Sequence, residues 1–150
     1  MGTRIAALMF LSAFVVGCVP FPHMERRASE INGTVVEAGT LLDGVRVKRV
    51  LSPYQILPGP VDTSRELCER PGEEVITNAA GCFHFDQQRM FYPVIVLYGD
   101  PWASVTICAD TGGGLMEAWH QTFLGQAPPE KMRLVCRAET VNHAVKCQGP

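Results

Sequence analysis

The chain has 150 residues, 47% hydrophobic and 19% charged, with a formal net charge of −2. That length suits one domain with a leader, and the slightly acidic balance, with no basic stripe interleaved with aromatics, argues against nucleic acid as a partner. Six cysteines are enough for a disulfide framework in an exported chain.

The first segment reads MGTRIAALMFLSAFVVGC. Arg4 stands beside the amino terminus, and Ile5 to Val16 is apolar apart from Ser12. As a helix this run reaches roughly 18 Å, short of the roughly 30 Å hydrocarbon core of a bilayer. A positive start, a compact apolar run and small residues at its end describe an export signal. Val15-Val16-Gly17-Cys18 resembles the lipobox of bacterial lipoproteins. The resemblance implies diacylglyceryl transfer to the Cys18 thiol, cleavage before Cys18, and residues 1–17 as signal peptide. The covalent lipid is the only cofactor-like group expected. Val19 stands where an aspartate would retain such proteins in the inner membrane, so the expected location is the outer membrane, facing the periplasm. The competing expectation is a secreted domain with Cys18 in a disulfide.

Residues 18–30, CVPFPHMERRASE, carry two prolines and mixed charge and read as a tether. Residues 31–150 are expected to form one β-domain. If Cys18 is lipidated, Cys68, Cys82, Cys108, Cys136 and Cys147 remain as candidate disulfide partners, an odd number whose pairing the sequence leaves open.

Ile31, Gly33 and Val35 alternate onto one face of a first strand. Val45 and Val47 do so on a second, with Arg46 and Lys48 expected outward. Gly39 and Asp43-Gly44 supply turns. Residues 53–73 hold four prolines and read as a long loop. Val75 and Thr77 precede a turn at Asn78 to Gly81, after which Phe83 and Phe85 point inward. Residues 92–98 read as a central strand, apolar on both faces. A β-branched strand follows and ends at Gly112-Gly113-Gly114. Residues 115–124 fit a helical face through Leu115, Trp119 and Phe123, but the triglycine favours a strand folding back as a hairpin. MRLVCRAE is the last strand. About seven short strands of antiparallel type predict an all-β fold, a β-sandwich.

INGTVVEAGTLLDGVRVKRV, TNAAGCFHF and YPVIVLYG together resemble the carboxypeptidase regulatory-like domain, a transthyretin-like β-sandwich. The matching positions are Ile31, Gly33, Val35, Gly44, Val45, Val47, Thr77, Gly81, Phe83, Phe85, Tyr92, Val94 and Val96; Asn78 stands where aspartate is usual. The resemblance spans residues 30–98 and implies a fold without catalytic residues.

The histidines His23, His84, His120 and His143 are scattered, and no metallopeptidase or phosphate-loop signature occurs. Cys82, His84 and Asp86 share one strand face at steps of about 7 Å. Thiolate, imidazole and carboxylate are metal-ligand types, so these three are the weak metal candidates, with Cys82 in a disulfide or as a free thiol as the competing readings. Trp102, after Gly99-Asp100-Pro101, is the candidate for loop recognition of a sugar or protein. These features predict a non-catalytic, lipid-anchored interaction module with a protein or glycan partner in the envelope. The alternative is a metal- or thiol-dependent protein using the Cys82 face.

Overall fold

The structure is a computed structural model and describes residues 23–53, 64–92, 103–123, 126–139 and 143–149. Their strands are β1 (His23–Ala28), β2 (Glu30–Glu37), β3 (Thr40–Leu41), β4 (Arg46–Pro53), β5 (Glu73–Ile76), β6 (Cys82–Phe85), β7 (Gln88–Tyr92), β8 (Ala103–Asp110), β9 (Met116–Phe123), β10 (Lys131–Glu139) and β11 (Ala144–Gln148). One short helix, α1, covers Ser64–Glu69. The fold is all-β.

The first sheet runs β11-β10-β2-β3, with β6 also paired to β2; the second runs β5-β4-β8-β9; β1 and β7 form a separate two-stranded ribbon. The inner faces of the two larger sheets share one core. Ile31, Val35, Phe83, Phe85, Leu134 and Val145 of the first sheet meet Val47, Val105, Ile107 and Phe123 of the second. Each such side chain contributes about 1.5–3 kcal/mol through burial. The alternation read in β2 and β6 is present: Ile31, Val35, Phe83 and Phe85 are buried and Asn32 and His84 exposed.

The strands are not all antiparallel. β2 pairs in parallel with β10, from Glu30 opposite Lys131 to Glu37 opposite Ala138. This pairing brings together residues about a hundred positions apart, which local patterning does not register. The hairpin expected across the glycines is formed, as β8 and β9 pair antiparallel. Gly112 and Gly114 take positive φ values of 109° and 95° there, a region side chains resist.

Three expectations change. The segment read as tether contains β1, which pairs with β7 from His23 opposite Tyr92 to Ala28 opposite Gln88; Ala28 and Ser29 are fully buried. Within the loop read over 53–73 lies α1, whose Cys68 is bonded to Cys108 of β8. Lys48, expected outward, is only 8% exposed. It sits on the outer face of the second sheet, but α1 covers that face, where Val50, Cys68 and Cys108 form a second small core with Leu115. The strand expected over 92–98 lies outside the described residues beyond Tyr92.

The motif residues behind the family resemblance build scaffold. Thr77 is buried; its Oγ1 donates to Leu42 O at 2.7 Å and accepts from Val45 N–H at 2.9 Å. Asn78 Oδ1 accepts from the Ala80 and Cys82 amides, each at 3.0 Å, so it closes the turn as an aspartate would. Gly81 has φ +64°, and a Cβ there would lie 2.8 Å from Val35 O. Phe83 faces Gly33 across the strand pair, and a Cβ on Gly33 would fall 2.1 Å from its ring. Glycine and phenylalanine therefore fill one site together.

Candidate functional site

The outer face of the first sheet is open. Along β10, Lys131, Arg133, Val135 and Arg137 alternate outward while Met132, Leu134 and Cys136 are buried. The register sets Arg133 beside Asn32 and Val135 beside Thr34. On the far side of β2, His84 stands opposite Asn32 and Cys82 opposite Thr34. The small side chains of Thr34 and Cys82, between larger neighbours, leave a groove of about 410 Å³ walled by Asn32, Arg133 and Val135.

Cys82, His84 and Asp86 do lie on this face, but they do not converge. His84 Nδ1 contacts Asn32 Oδ1 at 2.9 Å and Nε2 contacts Asp86 Oδ1 at 3.1 Å. Asn32 Nδ2 donates to Glu30 Oε1 at 3.0 Å, which fixes the direction of its amide. Cys82 Sγ instead donates to Ala80 O at 3.3 Å, within its own turn. Both imidazole nitrogens are thus engaged away from the sulfur. Among the described residues no three His, Cys, Asp or Glu side chains are grouped closely enough to hold a metal ion.

Cys82 is also not in a disulfide. The two bonds among the described residues are Cys68–Cys108 and Cys136–Cys147, and Cys82 is a free thiol. Cys136 and Cys147 are direct cross-strand partners with side chains toward the core. Cys82 points to the opposite, outer face, out of their reach. Cys18 and Trp102 lie outside the described residues.

A second cleft, about 550 Å³, opens on the other side of the molecule between α1, the start of β4 and the triglycine turn. Its cations are matched with carboxylates. Arg46 Nη2 donates to Asp110 Oδ2 at 2.8 Å, Lys48 Nζ lies 3.5 Å from Glu74, and Arg65 lies 3.6 Å from Glu69. Asp110 Oδ1 accepts the Gly112 and Gly114 amides at 2.8 and 2.9 Å. The Gly112 amide, helped by Arg46 and Gly114 and opposed by partial burial, holds the Asp110 carboxyl below its ordinary value. This cleft is internally neutralised, whereas the groove over β2 and β10 offers Arg133 to a ligand.

Arg49 was not legible as a core residue. It shares strand parity with Val45 and Val47, is 1% exposed, and lies 5.0 Å from the centre of the Phe85 ring. It donates to Ser29 O at 3.0 Å and to Glu73 Oε2, so the buried charge is paired and hydrogen-bonded. Its parity with two valines was the available signal.

No family model matches this chain, and no match was found among curated proteins or solved structures.

Proposed function

We propose that the chain is a bacterial envelope lipoprotein: a non-catalytic β-sandwich module, similar to carboxypeptidase regulatory-like domains, held by lipid on Cys18 at the outer membrane and facing the periplasm. The observation that carries the reading is Val15-Val16-Gly17-Cys18 at the point where the apolar run stops. The diacylglyceryl group itself carries two acyl chains, which makes such an anchor stable, since one chain holds only marginally.

The sandwich meets its envelope partner, a protein or glycan, through the open face of the first sheet. The groove there combines an arginine, two short polar side chains and an exposed valine, and no side chain among the described residues fills it. A photo-crosslinking residue at Val135, compared with one at Ile76, tests this: adducts specific to position 135 support the face, and equal labelling contradicts it. The anchor is tested by Cys18→Ser in growing cells. The variant is expected to leave the lipid fraction, and unchanged partitioning would end the reading.

A further inference from the structure

We propose that the ribbon of β1 and β7 is a second membrane contact, an interfacial surface lying on anionic lipid headgroups beside the anchor. It rests on the reading of Cys18 above. The ribbon presents its faces in the unexpected sense. Met24 and Phe91 are directly opposite each other and are 58% and 57% exposed. Glu25, Gln88 and Met90, on the other face, are half-buried. An exposed methionine–phenylalanine pair on one face of a ribbon is a surface awaiting an apolar boundary.

Charge places that boundary at a headgroup layer. Arg26 and Arg89 face each other across the ribbon, on the same side as the apolar pair. Like charges directly opposite destabilise a strand pair. The two strands hold three arginines against one glutamate; Arg26 and Arg89 are the two on the apolar side, while Glu25 and Arg27 alternate to the other. Arg26 Nη1 is tied to Pro128 O at 2.7 Å, which braces the ribbon against the body. Arg89 is exposed, with its Nε donating to Gln87 Oε1 at 3.0 Å. An arginine whose guanidinium keeps free donors, next to an aromatic and a methionine, suits lipid phosphate above acyl chains.

Chain length completes the argument. Four residues lie between Cys18 and His23, and the five extended steps that span them reach at most about 18 Å. The headgroup layer on each side of a bilayer is about 5–8 Å deep. An acylated Cys18 therefore delivers the ribbon to the headgroups at high effective concentration, where a weak contact is enough. Each arginine near an anionic surface is worth about a fivefold change in occupancy.

The test uses the full chain taken from membranes and reconstituted in phosphatidylglycerol vesicles with brominated acyl chains. Phe91→Trp is compared with Ile76→Trp, a site 69% exposed on β5. The added tryptophan at 91 is expected to be quenched and the one at 76 not. Arg89→Glu in the first variant is expected to cut the quenched fraction about fivefold or more, as is replacing the lipid with a zwitterionic one. Equal quenching at 91 and 76, in protein whose Cys18 carries lipid by mass spectrometry, overturns the ribbon contact and leaves the anchor standing. An unmodified Cys18 overturns both. Unquenched, blue-shifted emission at 91 in a crosslinkable dimer assigns the patch to a second copy of the chain and also overturns the proposal.

Discussion

The two large sheets share one core but treat their outer faces differently. In the first sheet no element among the described residues covers the outer face, and β10 alternates strictly between exposed and buried positions. In the second, α1 lies over the outer face, pinned by Cys68–Cys108, and Ser104 through Ala109 of β8 are all buried. A strand covered on both sides has no polar side to show, so its pattern becomes continuous. Polar groups trapped there pair with one another. Ser104 Oγ meets Thr122 Oγ1 at 3.0 Å, and Thr106 Oγ1 meets His120 Nδ1 at 2.9 Å. Cover makes one sheet a support; its lack makes the other a surface that can bind.

Removing the cover gives the largest effect. The Cys68–Cys108 bond joins residues 40 apart in sequence, against 11 for Cys136–Cys147. In the chain-entropy description the first is worth about 4 kcal/mol and the second about 3. Denaturant unfolding of Cys68→Ser/Cys108→Ser and Cys136→Ser/Cys147→Ser is expected to rank in that order. A reversed ranking would mean that α1 is not what holds the second sheet's outer face.

Adjacent residues of β10 sharpen the contrast within one strand. Leu134 is fully buried and Val135 is 42% exposed. Leu134→Ala is expected to cost about 3 kcal/mol, and Val135→Ala no more than about 0.5, read from urea midpoints. Comparable losses would show that the open face is covered by something the fold does not supply. Gly33→Ala comes next. Its methyl group would collide with the Phe83 ring, at an overpacking cost of about 1–3 kcal/mol. Adding Phe83→Leu is expected to recover part of it, and additive losses would contradict the shared site.

The smallest effect depends on pH and belongs to the covered side. Asp110 is held below its ordinary pKa by the Gly112 amide and Arg46. A depressed carboxyl contributes stability above its unfolded value of about 3.9 and loses it as pH falls through the folded value. The stability difference between the native chain and Asp110→Asn is therefore expected to be full at neutral pH and to fade as pH drops below about 4 and on through the folded value. A difference that grew on acidification would refute the assignment.

The sequence was most readable where a strand has one wet face. Ile31, Val35, Phe83 and Phe85 alternate as half-buried strands must, and Gly81 and the triglycine mark turns that need positive φ. Lys48 misled because alternation reports which side a residue takes, and not whether that side meets water. α1 was hidden among prolines, since six residues form a helix there only under tertiary constraint from Cys68. β1 was hidden because it holds one large apolar side chain, Met24, and that one is exposed, the reverse of the usual pattern. Of the candidate site, Cys82, His84 and Asp86 were placed on the right face. The groove beside them depends on the parallel docking of β10, a long-range pairing that no short window contains. The free state of Cys82 depends on which face its thiol takes relative to the other four cysteines.

The account stands on the anchor, and the amino-terminal mass of the mature chain, purified from the envelope, tests it most directly. A peptide beginning at Cys18 and heavier by the mass of attached acyl groups is the predicted result. A chain that begins elsewhere, or at a bare Cys18, would contradict it.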